Sequence, residues 1–177
     1  MSGHEQSIFW IIGYPNSGKT HLAHLLKDEL EDRFDSRTIL LDGDAIRQVF
    51  PDEQKGYDLN SRKQNALRLG RMAKLIASQH VPVIVAANTM FKDIQDYHRE
   101  HLPKYFEIYL RTDEETRRAR DSEKGLYKRF DAGQVSNVMG LDIMGEEPTS
   151  PDLLLDNELN VEMSTLVQKI IEKLKAP

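Results

Sequence analysis

The chain contains no cysteine among its 177 residues. A disulfide framework and a thiolate metal or redox site are therefore both excluded, and a reducing compartment is compatible with the composition. Long apolar runs are missing as well. The longest, Val81 to Ala87, is too short to span a bilayer, and the polar leader Met1 to Ser7 has no signal-peptide core. The expectation is a soluble, cytoplasmic protein with no membrane partner. A basic excess is absent too: the net charge of −5 argues against a broad nucleic-acid face but leaves local basic clusters free to bind a small anion. The six histidines are scattered without metal-ligand spacing, so most are expected on the solvated surface. No repeat, low-complexity tract or long linker appears, and the length fits a single domain, 1–177, with a core that needs no staple.

What is present is organised around Gly13-Tyr14-Pro15-Asn16-Ser17-Gly18-Lys19-Thr20. This string fits the G-x-x-x-x-G-K-S/T phosphate loop, which a random chain of this length shows with a probability of roughly 0.5%. Its context adds weight. Ile8 to Ile12 in front is apolar on both faces, as a central parallel strand should be, and behind it Leu22, Leu25, Leu26 and Leu30 recur at helical spacing. Gly13 and Gly18 would let successive N–H groups turn inward around phosphate oxygens at a helix N-terminus. Lys19 would then reach the β- and γ-phosphates of ATP, and the Thr20 hydroxyl would sit on Mg²⁺.

Further along, Arg37 to Leu41 reads as a second buried strand that ends in Asp42-Gly43-Asp44. Ligand sites of open α/β sheets lie at the carboxyl ends of strands. One of these carboxylates can act through metal-bound water while the other accepts a proton from an incoming hydroxyl. The purely structural alternative is a strand-to-helix turn with Asp44 as N-cap. From Leu59 to Ser78, Ala66, Leu69, Met72, Ala73 and Ile76 trace one helical face, and Arg62 and Asn65 project together from the helix start. Val81 to Ala87 is a third strand ending in Asn88-Thr89, and Tyr105 to Leu110 a fourth. Asp113 to Arg120 is a short, arginine-rich helix. Between Asp121 and Pro148 the period is lost, which predicts a mobile lid over bound phosphates. Leu153 to Asp156 is the fifth strand and Val161 to Leu174 a closing helix. The alternation predicts a three-layer α/β fold of the P-loop, nucleoside-monophosphate-kinase-like kind, with a five-stranded parallel sheet and a lid.

Together, the loop, Leu41-Asp42-Gly43-Asp44-Ala45-Ile46-Arg47 and Lys124-Gly125-Leu126-Tyr127-Lys128 resemble the adenylylsulfate kinase family from about Ile8 to Asp156. The stretch Gly56 to Leu75 also follows that family's G-F-x-x-x-x-R-x-x-N helix start. The resemblance implies transfer of the γ-phosphoryl group of ATP to the ribose 3′-hydroxyl of adenylyl sulfate by a homodimer. It implies that Asp44 accepts or orients the substrate hydroxyl proton and that Asp42 helps hold hydrated Mg²⁺. Arg47, Arg62 and Asn65 would hold the phosphosulfate and ribose, and Tyr57 would take the place of a base-stacking phenylalanine. Lys124 would open the lid, Gly125 would add a backbone contact, and Arg120 would lie near the ATP base or the transferring group.

Two departures fall where the acceptor base is held. Val138 replaces a lid phenylalanine, and Ala87-Asn88-Thr89-Met90 replaces F-I-S-P after the third strand. Losing one ring of a stack weakens base binding by roughly 1–3 kcal/mol, whereas an amide such as Asn88 can add hydrogen bonds to a base edge. The strings around Thr89 to Phe91 and Lys104 to Tyr109 are similar to relatives in capsule pathways that phosphorylate cytidine diphosphoramidate, the alternative acceptor. A nucleotide-dependent switch is a third reading. It is disfavoured because the chain carries neither an N-K-x-D string nor a strand ending in D-x-x-G.

Overall fold

Every residue of strand β1 (Ile8–Ile12) is buried, which an apolar strand achieves only when helices cover both faces of its sheet. The computed structural model describes residues 6–34, 37–50, 57–121 and 125–175. In it β1 lies at the centre of a five-stranded, all-parallel sheet with β2 (Ile39–Asp42), β3 (Val83–Ala87), β4 (Tyr105–Arg111) and β5 (Leu153–Asp156), in the order β2-β3-β1-β4-β5. The α/β reading of the sequence is borne out. Strands β2 and β3 each begin two residues later than the apolar pattern predicts.

The period-two alternation of the strands feeds two cores. Phe9 and Ile11 with Ile84, Ile108 and Leu110 meet Leu22 and Leu26 of α1 (Lys19–Phe34) and Leu166 and Ile170 of α7 (Met163–Lys175). Trp10 and Ile12 with Val83 and Val85 meet Leu69, Ala73 and Ala77 of α3 (Leu59–Ala77) on the opposite face. Each fully buried leucine or isoleucine contributes roughly 1.5–3 kcal/mol. The remaining helices are α2 (Gly43–Val49), α4 (Lys92–His101), α5 (Glu114–Ala119) and α6 (Leu126–Asp131). Helix α6 was not expected, since its stretch carries no apolar period. Among the described residues no helix is long and apolar enough to cross a membrane, and no histidine and carboxylate group is clustered for a metal.

Because all strands run the same way, their carboxyl ends gather along one edge. Gly13 to Thr20 follows β1 there, Asp42 to Asp44 closes β2, and Asn88 and Thr89 leave β3. Helix α3 runs back to the start of β3, so its N-terminal turn also lies at this edge. Asp58 fixes that turn: its carboxylate accepts from the Ser61 amide at 3.0 Å and the Ser61 hydroxyl at 2.6 Å, which sets the phase of Arg62 and Asn65.

One histidine departs from the surface expectation. His98 is 1% exposed, its ring centroid 4.2 Å from that of Trp10, and a Cβ on Gly70 would come within 2.6 Å of its Nε2. Burial pushes its pKa down from 6.5 to about 4, outweighing the hydrogen bond to the Ala66 carbonyl. The unfolded chain therefore binds a proton that the folded one refuses. Stability that is complete above pH 6.5 is lost as the pH falls toward 4, by up to about 3 kcal/mol. Urea melts at pH 7.5 and pH 5 should show this loss in the wild type and a smaller one in His98→Gln. Equal slopes in the two proteins would assign the acid lability elsewhere.

Candidate active site

The phosphate loop is shaped by its neighbours as much as by its glycines. A Cβ on Gly13 would stand 2.6 Å from the Leu110 carbonyl oxygen, and Gly18 adopts φ +94°, where a Cβ would meet the Asn157 amide nitrogen at 2.8 Å. The Asn157 side chain donates to the Ser17 carbonyl at 2.8 Å, tying the turn to the end of β5. Within the loop, Ser17 N–H donates to the Tyr14 carbonyl at 3.2 Å and the Lys19 ammonium to the same oxygen at 2.7 Å. Lys19 thus lies over the cradle, within reach of an anion seated in it.

Asp42 is the N-cap of α2, a role the structural alternative gave to Asp44. Its Oδ1 accepts from the Asp44 and Ala45 amides at 2.9 and 3.1 Å, and its Oδ2 accepts from the Thr20 hydroxyl at 2.7 Å. With both carboxylate oxygens engaged by the protein, Asp42 is suited to reach a cation through water. Hydroxyl and carboxylate side by side form an all-oxygen donor set that fits Mg²⁺. Asp44 projects from the first turn of α2 and is exposed, and its charge acts on Arg62.

Arg47 and Arg62 close around Tyr57: their guanidinium carbons lie 5.0 and 5.5 Å from its ring centroid. Arg62 also donates to the Tyr57 carbonyl at 2.8 Å and to the Asn137 carbonyl at 2.5 Å. Burial and the neighbouring Arg47 lower its pKa, and Tyr57, Asp142 and Asp44 oppose them. Two guanidiniums gathered at one ring mark a place where an anion is electrostatically favoured. Arg47 Nη1, Asn65 Oδ1 and Asn88 Oδ1 are buried without a hydrogen-bond partner, groups of the kind that a polar ligand satisfies. Thr89 differs: its hydroxyl oxygen accepts the Trp10 indole N–H at 2.8 Å, so part of its hydrogen-bonding capacity serves the core.

The segment after α5 folds back over this edge. Gly125 lies in the left-handed region, φ 56°, immediately before α6, and Lys124 lies outside the described residues, as does Gly56. Helix α6 is capped from a distance by Asp121, whose carboxylate accepts the Leu126, Tyr127 and Lys128 amides at 2.9, 2.7 and 3.3 Å and the Asn16 side chain at 2.9 Å. Burial raises the Asp121 pKa, and these hydrogen bonds outweigh it and hold the group below the ordinary carboxylate range. Val138 is 4% exposed, and Asp142 pins its turn by accepting the Asn137 and Val138 amides at 2.7 and 2.5 Å. Behind the loop a cavity of about 410 Å³ is lined by Gly18, His21, Arg120, Asn157, Val161 and Met163 among others. Arg120 is fixed at its rim by the Asn157 and Glu158 carbonyls at 3.2 and 2.9 Å.

Most residues singled out in the sequence therefore meet at one edge of the sheet, in two groups. The loop, Asp42 and Arg120 form one, and Asp44, Arg47, Tyr57 and Arg62, linked through Asn137 to the Val138 turn, form the other. Asp121 and Arg117, which brace the loop and α6 without lining the site, carry no signal in the sequence. Both stand in a charged run that reads as solvent-facing, and no spacing in the sequence distinguishes them.

Comparison with known proteins identifies the family. The family model described as adenylylsulphate kinase matches residues 5–156. A cytidine diphosphoramidate kinase of Campylobacter jejuni is 35% identical over 94% of this chain and 95% of its own length. An adenylyl-sulfate kinase of Bacillus velezensis is 36% identical over 87% of this chain and 78% of its own. The Mycobacterium tuberculosis APS kinase CysC, solved in complex with AMPPNP and APS, superposes with a TM-score of 0.88 at 25% identity, covering 97% of this chain and 99% of that one. Phosphate loop, paired aspartates, arginine pair and family match coincide over the same residues, and the chain belongs to the adenylylsulphate kinase family.

Proposed function

We propose that this protein transfers the γ-phosphoryl group of ATP to the ribose 3′-hydroxyl of adenylyl sulfate. The observation that carries the reading is that Asp44 joins the two groups of the site: its amide donates to Asp42, which accepts from Thr20 of the loop, and its charge acts on Arg62. Asp42 and Thr20 belong to the first group, and Arg47 and Arg62 to the second. The backbone of Gly13, Tyr14, Pro15, Asn16, Ser17 and Gly18 would cradle the ATP phosphates, with Lys19 neutralising the charge that develops on the transferring group. The 410 Å³ cavity beside Gly18 and Arg120 would take the ATP base. Thr20 and, through water, Asp42 would hold Mg²⁺, which when bound draws the phosphate oxygens together and offsets their charge.

Asp44 would accept the proton of the acceptor hydroxyl as phosphoryl transfer proceeds. Arg47, Arg62 and Asn65 would fix the acceptor's anionic linkage and ribose, Tyr57 would stack on its base, and Asn88, Thr89 and Val138 would form the base walls. The segment 121–148, with Lys124 and Gly125 at its start, would act as a lid in a single domain. A cytoplasmic homodimer, the assembly that the resemblance implies, belongs to the same reading.

The similarity to the Campylobacter jejuni enzyme over nearly both full lengths, together with Val138, favours cytidine diphosphoramidate as the second acceptor. The test is kcat/KM for both acceptors under one set of MgATP conditions. Adenylyl sulfate is expected to be preferred by about tenfold or more, because a base that leaves buried groups such as Asn88 Oδ1 unpaired is costly. A clear preference for cytidine would overturn the choice of acceptor and leave the 3′-hydroxyl chemistry in place.

A further inference from the structure

Arg117 is 5% exposed, yet among the described residues it makes no ion pair with a carboxylate. Its guanidinium carbon lies 4.5 Å from the ring centroid of Tyr14, in the phosphate loop, and 5.9 Å from that of Tyr127, in α6. Nη1 donates to the Tyr127 hydroxyl at 2.8 Å and Nε to the Asp113 carbonyl at 3.3 Å. A buried guanidinium held by two rings and neutral oxygens is costly to keep, so its place calls for a reason.

A tight turn packs where the guanidinium meets the Tyr14 ring. A Cβ on Gly140 would stand 2.6 Å from Tyr14 Cδ1 and 2.8 Å from Arg117 Nη1, and Gly140 has φ +86°. Farther along, the Tyr14 hydroxyl donates to the Gly145 carbonyl at 3.3 Å. The turn is internally braced, with Gly140 N–H donating to the Ile143 carbonyl at 2.7 Å and Ile143 N–H to the Val138 carbonyl at 3.2 Å. Its first carbonyl, that of Asn137, is the one that accepts Arg62.

At the loop end, the Tyr14 carbonyl is the acceptor of the Lys19 ammonium. A phosphate that draws on Lys19 changes what holds the Tyr14 peptide. The Tyr14 ring reaches the turn, and Arg117 packs on that ring and against Gly140.

We propose that Arg117 is a positioning residue that carries occupancy of the phosphate loop, through the Tyr14 ring and the 137–143 turn, to Arg62. The proposal rests on the reading above in taking Gly13 to Thr20 as the nucleotide loop and Arg62 as part of the acceptor site. Its consequence is that filling the loop tightens the acceptor wall before any acceptor is present. Arg117 would do this without touching either substrate.

The experiment is hydrogen exchange of the amides of Val138, Gly140, Leu141 and Ile143 with and without MgADP, on the full chain. In the wild type MgADP is expected to slow their exchange by about fivefold or more. In Arg117→Met the slowing should fall below about twofold, while MgADP affinity stays within about threefold of wild type. Arg117→Lys keeps the charge but loses the plane that lies on the two rings, and should behave like Arg117→Met. Gly140→Ala, whose new methyl collides with Tyr14, should raise exchange in the turn and supplies the second variant should Arg117→Met fold poorly. A full slowing in both Arg117 variants, or no slowing in a wild type that binds MgADP, would overturn the inference. A wild type that binds no MgADP would instead remove the nucleotide-loop reading, and the inference with it.

Discussion

Lys19→Ala should lower turnover by about 10²–10³-fold, roughly 3–4 kcal/mol of lost transition-state stabilisation. The ammonium lies over the loop on the Tyr14 carbonyl at 2.7 Å, so a short movement brings it to a phosphate seated there. In phosphoryl transfer the protein contributes mostly position and charge, and a cation aimed at the γ-phosphoryl oxygens is among its largest single contributions. The fold should survive, because Lys19 is half-buried at the lip of the sheet while β1 and α1 are anchored by Phe9, Ile11, Leu22 and Leu26. The measurement is kcat at saturating MgATP beside the thermal midpoint of the same preparation. A folded variant with near-normal turnover would dismiss the loop as the phosphate site.

For Asp44→Asn the expected signature is different. The amide preserves shape but removes the proton acceptor, so transfer should fall by about 10²–10⁴-fold while ATP affinity changes little. The structure strengthens this test, since the residue that caps α2 is Asp42, through its Oδ1. Asp44 can therefore be changed without uncapping the helix. Asp42→Asn is the informative contrast: it weakens a cap worth about 1 kcal/mol and disturbs the pair with Thr20, so it should change the Mg²⁺ dependence of the rate. Equilibrium binding of ATP alongside single-turnover transfer separates the two. Normal transfer by Asp44→Asn would reduce that residue to a surface acid.

How the acceptor is recognised is the part that the sequence left most open, and the reason is local. The side chains proposed to hold the acceptor's linkage and ribose sit on a helix start whose phase Asp58 sets, so Arg62 and Asn65 can be placed from spacing alone. The proposed base walls come instead from the end of β3 and the 137–143 turn, two segments that only the fold brings together. Thr89 shows the consequence. As a string it is a candidate for reading a base, and in the structure its oxygen is shared with Trp10, 79 positions away.

The sequence by itself determined the sheet, the helices that cover it, the phosphate loop and the paired aspartates. Each of these is written in contiguous residues: a continuous apolar run for a strand covered on both sides, a 3.6-residue period for α3 and α7, and fixed spacings of glycine, lysine and aspartate for the site. The tertiary structure decided the fate of residues whose partners lie far along the chain. His98 is in the core because Trp10 and Gly70 leave a slot for a flat ring. Asp121 caps α6 and reaches back to Asn16, 105 positions away, and Arg117 is buried between two tyrosines. A charged side chain looks the same in a sequence whether water or a ring will face it, because its environment is made by distant segments that packing brings together.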